Sequence, residues 1–81
     1  MQKHKATFVY VNGGDEFDDD YELRIGGRKT FFAIQVIGRT FFSPYRFDGQ
    51  ALDYFGEFRT LDAAKAATVK QYLREKLGAG K

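Results

Sequence analysis

The ionisable side chains of this chain are sorted by sign. Asp15, Glu16, Asp18, Asp19, Asp20 and Glu22 fall within eight residues, and most of the remainder is basic. Residues 1–14 carry +2, residues 15–22 carry −6 and residues 23–81 carry +6, for a net charge of +2. A carboxylate cluster can take a hard cation, and a block of one sign can dock on a basic protein surface. The run lacks the Asp-x-Asp-x-Asp-Gly order and distal Glu of a calcium loop, so no dedicated metal site is expected. The later sequence interleaves cations with aromatics: Arg28-Lys29, Arg39, Phe41-Phe42, Tyr45-Arg46-Phe47 and Arg59. That mixture suits nucleic acid, because cations neutralise phosphates while rings and guanidinium planes stack on bases. The same residues would equally furnish an aromatic core with arginines on the solvent face of a sheet.

Catalytic chemistry finds few footholds. His4 is the only histidine and Ser43 the only serine, and there is no cysteine. A Ser-His-Asp arrangement therefore has little to draw on, and thiolate metal sites and disulfides are excluded. No glycine-rich loop runs from a strand into a helix with a Lys-Ser/Thr, so no nucleotide cradle or cofactor is expected. Gly13-Gly14-Asp15-Glu16-Phe17 resembles the signature of diguanylate cyclases. The phosphate-contacting segment and second metal-ligand aspartate of that family would not fit in the twelve residues before Gly13. Cyclase activity is not expected, and the chain reads as non-catalytic.

Hydropathy patterning supplies the elements that would position these groups. With 81 residues, the chain has room for one small domain. Aromatics make up 17% of it, which argues against disorder. Thr7–Val11 is β-branched and aromatic and stops at Asn12-Gly13-Gly14. Tyr21, Leu23 and Ile25 alternate with Glu22 and Arg24, and Gly26-Gly27 follows as a tight hairpin turn. Thr30 to Ile37 reads as a buried central strand. Thr40 to Phe47 reads as a fourth, bent or placed at an edge by Pro44. Asp48-Gly49 signals another turn, and Tyr54 to Phe58 a short fifth strand. A helix is expected from Leu61 to Leu77, capped by Thr60 and closed by Gly78, with Ala66, Val69, Leu73 and Leu77 facing inward beside Leu61 and Tyr72. One helix covers one face of a sheet, so Phe31 and one of Phe41 or Phe42 should point away from it. The expected fold is α+β, a four- or five-stranded antiparallel meander with one C-terminal helix packed across one face.

The segment Tyr54-Phe55-Gly56-Glu57-Phe58-Arg59-Thr60-Leu61-Asp62-Ala63-Ala64-Lys65-Ala66 resembles the end of AP2-type DNA-binding domains and of phage integrase arm-binding domains. There a last strand reading Gly-x-Phe-x-Thr leads into an Ala-Ala-x-Ala helix. Gly56, Phe58, Thr60, Ala63, Ala64 and Ala66 match that pattern. The family's tryptophans and Arg-rich opening strand have no counterpart here. The resemblance implies a sheet laid against DNA with the helix packed behind it. The chain also resembles small phage-encoded inhibitors, anti-CRISPR proteins among them.

Together these readings give a non-catalytic nucleic-acid-binding protein, with Arg28, Lys29, Arg39 and Arg46 on phosphates or base edges. Phe31, Phe41, Tyr45 and Phe47 are the stacking or packing candidates. The alternative is a protein-binding inhibitor or adaptor from a mobile element, docking Asp15, Glu16, Asp18, Asp19, Asp20 and Glu22 on a basic protein or nucleoprotein. A homodimer through a sheet edge or the spare aromatics is a third expectation. No apolar run is long enough for a membrane span, and a cytoplasmic protein is expected.

Overall fold

The computed structural model of the chain describes residues 5–12, 19–38 and 40–78. Five strands, β1 (Ala6–Val11), β2 (Asp20–Ile25), β3 (Arg28–Ile37), β4 (Phe41–Phe47) and β5 (Leu52–Tyr54), precede one helix, α1 (Leu61–Gly78). The strands form one antiparallel sheet in the order β1-β2-β3-β4-β5, and α1 packs on β3 and β4. The fold is α+β.

Turn chemistry fixes the register. Gly26 and Gly27 have φ of 60° and 83° and join Ile25 to its partner Arg28 in two residues. Only glycine adopts two successive positive φ values without strain, and this turn carries the right-handed twist of the strands it joins. Asp48 shapes the β4–β5 turn by accepting the N–H groups of Gln50 and Ala51 at 3.0 Å each. Thr60 caps α1 as expected, its hydroxyl accepting the Ala63 N–H at 3.2 Å.

Two strand expectations are corrected. Pro44 lies in an interior strand, not at an edge, with Ile34 beside it on β3. Its carbonyl accepts the Phe55 N–H at 3.1 Å, so its backbone points toward the β5 side. There the ladder breaks between Tyr54 and the Phe42–Phe58 bridge, and no donor is needed at position 44. The fifth strand accordingly comes earlier than expected, and Phe58 contributes only that bridge. Gly56 lets the chain pass: a Cβ there would lie 2.6 Å from the Phe58 ring.

The core lies between the sheet and α1. Leu23 and Ile34 are fully buried and Phe32 nearly so. Each such side chain contributes about 1.5–3 kcal/mol by leaving water. The Phe32 ring meets the rings of Phe55 and Tyr72 edge to face, with both centroids 6.0 Å away. The helix is rotated from its expected setting. Ala64 and Thr68 face the sheet, whereas Ala66 is exposed, Leu73 is 50% exposed and Leu77 80%. The sheet already supplies aromatic bulk, so the helix brings small residues that let its axis approach. The Thr68 hydroxyl donates to the Ala64 carbonyl at 2.7 Å and leaves no orphan. Gly78 is the last helical residue and has no positive φ, so it is not a left-handed cap.

Enlarging Ala64 to Leu should therefore destabilise the protein by about 1–3 kcal/mol by overpacking. Leu73→Ala should stay within about 0.5 kcal/mol. Urea denaturation of both variants distinguishes this helix setting from the reverse.

Candidate nucleic-acid interface

The residues expected to contact nucleic acid divide among three places. Arg28 and Lys29 leave the β2–β3 turn at one end of the sheet. There the β2–β3 register shifts. Ala33 pairs with Glu22 and Lys29 with Arg24, so Thr30, Phe31 and Phe32 together span the interval opposite Leu23. The Thr30 hydroxyl holds this irregularity by donating to the Leu23 carbonyl at 2.8 Å and accepting the Phe32 N–H at 3.1 Å. Irregularities of this kind re-aim side chains. Phe32 points into the core while Phe31 is left 55% exposed.

Phe31 forms a ridge between two grooves. One is lined by Lys29, Tyr45, Phe47 and Asp48 on the sheet face away from the helix. The other runs toward the end of α1, lined by Arg28, Lys29, Tyr72, Glu75 and Lys76. Four of the expected residues, Arg28, Lys29, Tyr45 and Phe47, thus gather at this end. Arg39 lies outside the described residues. Phe41, the first residue of β4, sits beneath the Arg59 guanidinium, 5.7 Å from its ring centroid.

Arg46 does not join them as a free cation. It faces the helix side, where its Nε donates to both Glu75 carboxylate oxygens at 3.0 and 2.8 Å and its Nη1 to Asp48 at 3.0 Å. Its guanidinium also lies 5.2 Å from the Phe31 ring centroid. The bonds to Glu75, then Asp48, raise its pKa further. Its role here is structural, clamping β4 to α1 and to the β4–β5 turn. Asp48 is held well below the carboxylate range, at about 2, by the N–H groups of Ala51 and Gln50 and then by Arg46.

The open sheet face is balanced in charge rather than basic. Glu22 takes Arg24 at 3.1 Å and Lys29 at 3.6 Å. Tyr45, whose ring is tilted against that of Tyr54 with centroids 5.5 Å apart, donates its hydroxyl to Asp20. Burial, then that bond to Asp20, pushes its pKa up. Tyr54 donates to Gln35 on this face, while on the helix side of the edge strand Tyr10 donates to Asp19 at 2.6 Å. The described acids of the alternative docking segment, Asp19, Asp20 and Glu22, are therefore tied into the sheet. Asp15, Glu16 and Asp18 lie outside the described residues. No group of three His, Cys, Asp or Glu that could hold a metal ion occurs among the described residues.

Of the groove's cations, Arg28 forms no ion pair among the described residues, and Lys76 rests 6.0 Å from the Tyr72 ring. Lys76 and Tyr72 were not expected at the interface. Their arrival depends on the rotation of α1, for which apolar spacing gives the wrong answer.

Arg46→Ala should lower the urea midpoint, because Glu75 loses its partner and the β4–β5 turn its brace. For Asp48, the depressed pKa means that its stabilisation is complete above the unfolded carboxylate value near 4 and is lost as the pH falls toward about 2. Asp48→Ala should therefore have a lower midpoint than the unsubstituted protein above about pH 5, with the gap closing on acidification. Parallel midpoint curves would contradict this. Comparison with protein-family models, with curated proteins and with solved structures finds no match, so the functional reading rests on this geometry.

Proposed function

We propose that the protein is a non-catalytic binder of single-stranded nucleic acid, and that its contact surface is the Phe31 end of the sheet rather than the whole sheet face. One observation carries this reading. An exposed phenylalanine stands between two open grooves rimmed by Arg28, Lys29 and Lys76. An exposed ring flanked by cations gives an unpaired base a stacking partner and its phosphates a counter-charge. Phe47, 48% exposed on the neighbouring strand, offers a second ring along the same path. The balanced charges elsewhere on the open face argue against a duplex laid across it, as the AP2-type resemblance would require.

Fluorescence anisotropy with labelled single-stranded and duplex oligonucleotides tests the proposal. Three neutralised phosphates predict roughly a 20-fold loss of single-strand affinity on a four-fold rise in salt. Phe31→Ala should weaken binding by about 1–3 kcal/mol, as stacked aromatics do on truncation. Arg28→Ala with Lys29→Ala should reduce both the affinity and its salt dependence. Lys70→Ala with Arg74→Ala, on the outer face of α1, should leave binding unchanged. Flat traces at low salt would remove the reading. A pull-down that is lost when Asp15, Glu16 and Asp18 are neutralised would then favour the protein-docking alternative.

A further inference from the structure

β1 is an edge strand, and among the described residues nothing pairs with its outer side. The Gly26 N–H donates to the Lys5 carbonyl at 3.0 Å, and the register continues unbroken from Ala6↔Ile25 to Val11↔Asp20. Backbone groups alternate in direction along a strand. Those of Lys5, Thr7, Val9 and Val11 therefore turn toward β2, and those of Ala6, Phe8 and Tyr10 turn outward. Sheet edges are commonly guarded by a proline, a bulge or an inward-pointing charge. β1, reading Ala-Thr-Phe-Val-Tyr-Val, has none of these. The opposite edge, β5, is only three residues long.

We propose that β1 pairs antiparallel with β1 of a second copy, about a twofold axis through Phe8, to join two sheets into one of ten strands. In this register Ala6 faces the partner's Tyr10, Phe8 faces the partner's Phe8, and Thr7 faces the partner's Val9. Every outward backbone group between Ala6 and Tyr10 then finds a partner. A shift of two residues either way leaves Ala6 or Tyr10 without a strand residue opposite.

Charge selects a second copy over an unrelated strand. Lys5 shares the open face with Thr7, Val9 and Val11 and has no ion pair among the described residues. The pairing places it beside the partner's Val11, which is directly across from the partner's Asp20 on the same face. Lysine's side chain is long enough to cross that one strand. The contact occurs twice by symmetry, and no like charges oppose each other between Ala6 and Val11. The axis runs perpendicular to the sheet, so both helices lie on one side and both Phe31 ends stay open.

Sedimentation velocity over a concentration series, without nucleic acid, tests this independently of the binding function. The unsubstituted protein should dimerise in the micromolar range. Ala6→Pro should weaken the dimer at least ten-fold while preserving the helical circular dichroism, since the Ala6 N–H serves no bond among the described residues. Lys5→Glu should weaken it to a lesser degree. The chain has no cysteine, so register can be read by cross-linking. Thr7→Cys chains mixed with Val9→Cys chains should form a disulfide between unlike chains, because Cβ atoms directly opposite lie about 4.5–5.5 Å apart. A protein that sediments as a monomer throughout would overturn the proposal. So would a dimer that survives Ala6→Pro and gives no mixed cross-link.

Discussion

The ring of Phe32 is where sheet, return segment and helix meet. It projects from the central strand and is clasped edge-on by Phe55 and Tyr72. Edge-to-face contact is the favoured geometry for aromatic rings, and here it sets how closely the helix can approach. Ala64 and Thr68 lie on the same stripe of α1 as Tyr72, at four-residue spacing, so these small residues are the ones turned to the sheet. The place of the Phe32 ring also explains the ion pair at the helix end. Arg46 pairs with Phe32 across β3 and β4 on the same face, and so emerges next to Tyr72 one turn short of Glu75.

Much of this was legible in the sequence because it is local. Gly26-Gly27 encodes a two-residue turn through backbone conformation alone, and Thr60 encodes a cap through one hydroxyl. Alternation along β2 identified its buried side, since Leu23 faces the core. The rotation of α1 was not legible, because Leu73 and Leu77 form a convincing apolar stripe that the aromatic sheet leaves unused. Pro44 misled for a similar reason. Its missing N–H implies a bend or an edge, whereas the strand is interior and the gap that accommodates it comes from the separation of Tyr54 and Phe58.

The candidate interface was legible in composition and not in arrangement. Arg28, Lys29, Tyr45 and Phe47 were named from their types, and the structure gathers them at one end of the sheet. Arg46 looks the same in sequence, but its partner Glu75 lies 29 residues away and no local pattern announces it. The acidic segment shows the same difficulty. Glu22 can be matched to Arg24 by strand alternation alone, while the bond between Tyr45 and Asp20 depends on three strands lying side by side. The exposure of Phe31 arises from the register shift that Thr30 holds, a feature with no sequence signature of its own.

The simple strand order has a consequence for how the molecule forms. Every strand pairs with the one made just before it, so each ladder closes over a short loop and the sheet can zip up as the chain lengthens. The helix comes last. Until it is made, the face bearing Leu23, Phe32 and Ile34 has nothing to cover it. The strands can thus pair before α1 docks, and the apolar surface of Leu23, Phe32 and Ile34 is sealed by the helix only in that final step.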